Sequence, residues 1–92
     1  MKKFNESLDT AVLTTKYVVE GNYPILYVYH FEDGSWQFNG EQKDLKDEDY
    51  VVISLREVLS IDLTVVELAG LPLGLEAMRG TKNEKWQIVS VN

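Results

Sequence analysis

A chain of 92 residues that is 45% hydrophobic and 26% charged can bury one thin core and has no room for a second domain. That balance excludes a disordered chain, and the lack of cysteine removes disulfide scaffolds, thiolate nucleophiles and zinc thiolate sites, in keeping with a reducing, cytoplasmic setting. The net charge of −6 is concentrated between Glu20 and Glu67, where eleven acids meet only Lys43, Lys46 and Arg56; such a segment repels a phosphate backbone, so nucleic acid is not the expected partner.

The first ten residues are polar and aperiodic and read as a frayed arm or a short helical turn. Their two lysines have no apolar run behind them, and no stretch of the chain is long and apolar enough to span a bilayer. From Ala11 to Gly40, β-branched and aromatic residues are interrupted by Gly21-Asn22 and Asp33-Gly34, both pairs suited to two-residue hairpin turns. This spacing predicts a three-strand meander in which Lys16 faces Tyr27, Tyr29 faces Phe38, His30 faces Gln37 and Phe31 faces Trp36. Period two then places Tyr27, Tyr29, Phe31, Trp36 and Phe38 on one face, and Leu26, Val28 and His30 on the other. Both faces are substantially apolar, which calls for cover on each side of the sheet.

Glu41 to Asp49 is a charged connection that reads as a loop, and "YVVISL" follows as a strand. Ser54 and Glu57 have the spacing of a capping box, with Ile53 and Val58 as its hydrophobic staple, so a short helix starts there. Asp62 opens a second helix in the same way, with Ile61 and Val66 as staple and Leu63, Val66 and Ala69 turned inward, before Gly70 and Pro72 end it. "LPLGLEAMRG" reads as a strand or loop segment and "KWQIVSVN" as a closing strand, with "GTKNE" as the turn between them. The expected fold is a single α+β domain over residues 1–92, an antiparallel sheet built on the three-strand meander with two short helices on one face.

Few residues are equipped for chemistry. His30 is the only histidine and has Gln37 opposite it, which is neither acid nor base, so a structural or partner-contacting role is expected for it. Asp44, Asp47, Glu48 and Asp49 lack the glycine and the spacing of a calcium loop, and Gly34 and Gly40 open no phosphate-binding loop; no metal or cofactor is expected. Trp36 and Phe38 are the aromatics expected in the core, whereas Tyr27 and Tyr29 have the amphipathic rings favoured at interfaces. Arg79, a lone cation in the apolar stretch "LEAMRG", is expected to pair with a carboxylate of the hairpin or loop, or to stack on an indole.

Two stretches resemble a bacterial family of uncharacterised domains related to the immunity-protein-like domains of polymorphic toxin systems. The first is the hairpin "TTKYVVEGNYPILYVYHFEDGSWQFNGE", whose Ser35-Trp36-Gln37-Phe38-Asn39-Gly40-Glu41 is similar to a Gly-Trp-x-Phe-x-Gly-Glu core. The second is "SLREVLSIDLTVVELAGLPLGLEAMR", with Leu55, Asp62, Leu71, Pro72, Gly74 and Arg79 at the matching positions. Together the likeness covers roughly residues 14 to 88 and departs in the loop between Glu41 and Tyr50. It implies structural roles for Trp36, Phe38, Pro72, Gly74 and Arg79 and supplies no catalytic residue.

The functional expectation is therefore a non-enzymatic cytoplasmic module that binds another protein, of the kind that neutralises a toxin domain. Tyr27, Tyr29, Asp44, Asp47, Glu48 and Asp49 are its candidate contacts. A basic toxin domain or a second copy of the chain is the expected partner, and a membrane is not. The alternative is a small-ligand regulatory domain with Tyr27, Tyr29 and Trp36 as an aromatic pocket wall.

Overall fold

A computed structural model describes residues 3–90; Met1, Lys2, Val91 and Asn92, the ends of the expected arm and closing strand, lie outside it. Six strands form one sheet: β1 (Ala11–Thr15), β2 (Tyr27–His30), β3 (Trp36–Asn39), β4 (Tyr50–Ser54), β5 (Leu75–Met78) and β6 (Gln87–Ser90). Two α-helices, α1 (Lys16–Glu20) and α2 (Leu55–Ile61), a 3-10 helix (Leu63–Leu68) and a single 3-10 turn (Asp47–Asp49) within the segment expected as a loop complete an α+β fold. The strand order is β4-β1-β3-β2-β5-β6, with β1 and β3 parallel and every other neighbouring pair antiparallel.

The sheet is therefore mixed, and the expected three-strand meander is corrected. The reason lies at the end of β1, where Thr15 Oγ1 accepts the Val18 N–H and caps a helix instead of continuing the strand. Gly21 then closes α1, its N–H donating to the Tyr17 carbonyl, and Asn22 turns the chain through the left-handed region at φ 59°. Gly-Asn is as competent to stop a helix as to turn a hairpin, and here the capping threonine decides between the two. The chain leaves the sheet before it can fold back on β1, and the β2–β3 hairpin sets β3 beside β1 instead.

A second correction concerns the register of that hairpin. The Phe31 N–H donates to the Ser35 carbonyl and the Gly34 N–H to the Phe31 carbonyl, both at 2.9 Å, while Gly34 sits at φ +91°. The tip is thus Glu32-Asp33-Gly34, a tight turn followed by a positive-φ glycine, one residue longer than the expected Asp33-Gly34 pair. Asp33 Oδ1 stabilises it by accepting from the Ser35 N–H and hydroxyl, and these bonds hold the Asp33 carboxyl below its ordinary pKa. His30 consequently faces Trp36 and Val28 faces Phe38, while Tyr29 faces Gln37 and Tyr27 faces Asn39. A one-residue slip sends every side chain of a strand to the opposite face, so Trp36 and Phe38 part company from Tyr27, Tyr29 and Phe31.

The buried face holds Val12, Val28, Trp36, Phe38 and Ala77, and it joins Val18 of α1, Leu55 and Val58 of α2, and Val65 and Leu68 of the 3-10 helix in one core. The α2 start is as expected, with Ser54 Oγ accepting the Glu57 N–H at 3.1 Å. Asp62 also caps the next element as expected, but that element is 3-10 and its phase differs: Val65, Leu68 and then Leu71 are buried, while Leu63 is exposed. The N-terminal segment is docked, with Phe4 buried edge-on against Trp36 at 5.1 Å between ring centres.

Candidate functional site

The other face of the sheet carries a continuous row of paired residues across all six strands: Val52, Leu13, Gln37, Tyr29, Glu76 and Val89. None of the six is buried, and Val52 is 66% exposed. The adjoining row contributes Tyr50, Tyr27 and Met78, all half-buried, and Phe31 at the hairpin tip is 42% exposed and stacked on Tyr29 at 5.9 Å. On the same face Gln37 Nε2 donates to Asn39 Oδ1 at 3.1 Å and holds two polar side chains of β3 together. The result is an apolar, tyrosine-rich surface whose backbone is rigid sheet.

Tyr29 stands at its centre. Burial first, and the charge of the Glu76 carboxylate opposite it second, hold the Tyr29 phenol above its ordinary pKa; Tyr27 and Tyr50 lie near enough to add to the effect, and a hydrogen bond to Glu76 contributes. Tyr29 thus offers a ring and a hydroxyl opposite a carboxylate. Tyr27 and Tyr29, both expected as contacts, thus come together on the open face. Trp36 does not join them: it is 2% exposed on the opposite side, so the expected three-residue aromatic pocket wall is corrected by the hairpin register. A depression of about 830 Å³ does exist elsewhere, between α1, the Tyr23–Leu26 connection and the β5–β6 turn, with Asp62 and Lys82 in its lining.

The acidic loop divides. Asp44, Asp47 and Glu48 are exposed, whereas Asp49 is 6% exposed and engaged inside the fold. Its Oδ2 accepts the Lys46 N–H at 2.9 Å and its Oδ1 lies 3.1 Å from Lys16 Nζ. The Lys46 N–H first, and Lys16 second, hold the Asp49 carboxyl below its ordinary value, while the hydrogen bond and charge of Asp49 raise Lys16 above its own. A depressed carboxyl contributes stability that is present above the unfolded-state value and lost as pH falls through the folded one; a raised amine contributes below its unfolded value and loses it as pH climbs through the folded one. The pair therefore supports the fold across neutral pH. Asp49→Asn is expected to narrow its stability deficit relative to wild type on acidification through the carboxylate range, as read by urea denaturation between mildly acidic and neutral pH. A gap independent of pH would contradict the pairing.

His30 is held on three sides. Its ring stacks on Trp36 at 3.8 Å, and Nδ1 lies 2.7 Å from the Leu71 carbonyl, which can only accept, so Nδ1 carries the proton. Nε2 faces Glu6 Oε2 at 3.9 Å, and the same Glu6 oxygen accepts the Trp36 Nε1–H at 2.7 Å. The docked arm, the histidine and the indole form one cluster, which no sequence spacing announces. Among the described residues no group of three or more His, Asp and Glu side chains is placed to hold a metal ion.

Arg79 is 5% exposed and spends all five of its N–H donors: Nε and Nη2 on the Ile25 carbonyl, Nη1 on Thr64 Oγ1 and the Lys82 carbonyl, and Nη2 again on Asp62 Oδ2. Its guanidinium also lies 4.0 Å from the centre of the Trp86 ring. The expected carboxylate and indole are both found, but the carboxylate comes from the cap of the 3-10 helix, not from the hairpin or the acidic loop. Pro72 and Gly74 form the turn into β5, where Leu75 N–H donates to the Pro72 carbonyl and Gly74 takes φ +81°.

In comparisons with known proteins, no family model, curated protein or solved structure matches this chain. Among the described residues no helix is long and apolar enough to cross a membrane.

Proposed function

We propose that this chain is a non-enzymatic protein-interaction module of the cytoplasm that binds another protein through the open face of its sheet, in the manner of an immunity-type domain that covers a toxin. The observation that carries the reading is the uncovered row from Val52 to Val89 with Tyr27, Tyr29, Tyr50 and Phe31 clustered on it. A small domain gains nothing for its own stability by holding three tyrosines and a phenylalanine half in water, whereas large rigid amphipathic rings are what protein interfaces use as anchors. The role of His30 as an orienting partner of Trp36 and Leu71 is in keeping with a scaffold and not with a general base.

The test is kinetic. With the cognate protein in hand, Tyr27→Ala and Tyr29→Ala are each expected to raise the dissociation rate by a factor corresponding to about 2 kcal/mol, with melting temperatures close to that of the wild type. Surface plasmon resonance reads the rates. Dissociation unchanged in both variants would show that the contact surface lies elsewhere.

A further inference from the structure

The open face is nearly free of formal charge, and its one exception is central. None of the six strands contains Lys or Arg, and Glu76 is the only carboxylate in any of them. It is half-buried and paired with Tyr29 on one side and Val89 on the other. Covering such a carboxylate with an apolar surface strips its water without replacing it, and the complex is penalised unless the incoming surface brings a cation. A second copy of this chain, docked by the same face, offers no strand Lys or Arg to meet it.

We propose that Glu76, with the rings of Tyr27 and Tyr29, is the seat of an arginine side chain presented by a basic protein partner; the assignment rests on the open face being the interaction surface. Arginine fits better than lysine because its planar guanidinium can pair with a carboxylate through two parallel N–H groups while its flat side lies on a tyrosine ring. Lysine supplies the charge without the plane. The surroundings reinforce the choice of a basic surface. The loop with exposed Asp44, Asp47 and Glu48 leaves β3 after Asn39 and re-enters at Tyr50, both in the row that contains Tyr27. At the other end of the β2–β3 hairpin stand the exposed Glu32 and Asp33 of its tip. Anionic groups at both ends and one at the centre make a field that draws in a basic partner and sets its position.

The experiment uses the full chain, isotopically labelled, titrated with N-acetyl-arginine amide, N-acetyl-lysine amide and uncharged N-acetyl-norleucine amide at matched ionic strength and followed by NMR. The arginine probe is expected to move the Glu76 carboxyl and the Tyr27 and Tyr29 ring signals saturably, the lysine probe less, and the norleucine probe not at all. Glu76→Gln is expected to weaken the arginine response about tenfold or more while the rest of the spectrum stays native. Arginine shifts confined to the acidic loop, or retained in Glu76→Gln, would overturn the assignment. So would sedimentation showing a wild-type dimer that dissociates on Tyr29→Ala, since a second copy would then be the occupant. If a protein partner is lost on Tyr27→Ala and Tyr29→Ala but bound normally by Glu76→Gln, the arginine seat fails and the interaction face stands. If the arginine probe binds at Glu76 while the partner ignores both tyrosines, it is the interaction reading that fails.

Discussion

Arg79→Ala destabilises the fold by about 3–5 kcal/mol, the cost expected when one member of a buried, hydrogen-bonded ion pair is removed. Three separate segments are joined at that guanidinium: the Ile25 carbonyl ahead of β2, Asp62 and Thr64 at the start of the 3-10 helix, and the Lys82 carbonyl in the β5–β6 turn. Without it the Ile25 carbonyl loses both of its guanidinium donors, and Asp62 keeps only its capping bonds to the Thr64 N–H and hydroxyl. Arg79→Lys restores the charge but cannot supply five donors in a plane, so it recovers only part of the loss. Urea unfolding decides the matter. A deficit below about 1 kcal/mol for Arg79→Ala would mean that water replaces the guanidinium without penalty and that the site is not a closed network.

Trp36→Ala is the second large effect, again about 3–5 kcal/mol. The indole is sandwiched in a stack, with the His30 ring at 3.8 Å and Phe38 at 6.0 Å, and Phe4 meets it edge-on. Its removal opens a cavity in a core too small to close around it, and it also loosens the start of the N-terminal segment, because Phe4 and Glu6 both contact the indole. Trp36→Phe keeps most of the packing and gives up the Nε1–H bond to Glu6, a loss of about 1–2 kcal/mol. Denaturation of both variants separates packing from hydrogen bonding; equal losses would mean that the indole N–H, not the ring volume, is what matters.

Much of the fold is legible in the residues because the signals are local. Ser54 and Asp62 cap the elements they were expected to cap, β4, β6 and the turn before β6 lie where the apolar runs and Gly80 place them, and the segment that read as strand or loop carries β5. The misread parts turn on choices between two local solutions of nearly equal merit. Thr15 at a strand end can continue the strand or cap a helix, and only the packing of Val18 into the core selects the cap. Asp33-Gly34 can be a two-residue turn or the last two residues of a three-residue tip, and it is the gain from burying Trp36 and Phe38 beside Val28 that selects the longer one. The 3-10 helix keeps its three-residue spacing but shifts phase, since a cap fixes where a helix starts and not which way it rolls.

The candidate site was half legible for the same reason. Tyr27 and Tyr29 stand out by residue type alone, but their company depends on the hairpin register, which exchanges Trp36 and Phe38 for Gln37 and Asn39. Glu76 shows no signal in the sequence; it becomes notable only when β5 is seen to pair with β2 and to set it opposite Tyr29. Asp49 reads as one more acid in a solvated run, and what removes it from that run is Lys16, thirty-three positions earlier, brought alongside by the end of β1.

Both functional readings rest on the division of the hairpin into a buried and an open side, and the absence of native cysteine makes that division directly measurable. Single-cysteine variants at Val28 and Tyr29, neighbours in β2 that point to opposite faces, can be reacted with a thiol reagent under native conditions. The native fold is expected to leave the thiol of Tyr29→Cys open to rapid labelling and to protect that of Val28→Cys until the chain unfolds. Rapid labelling at position 28 with protection at position 29 would mean that the strand is turned over and that the tyrosines belong to the core.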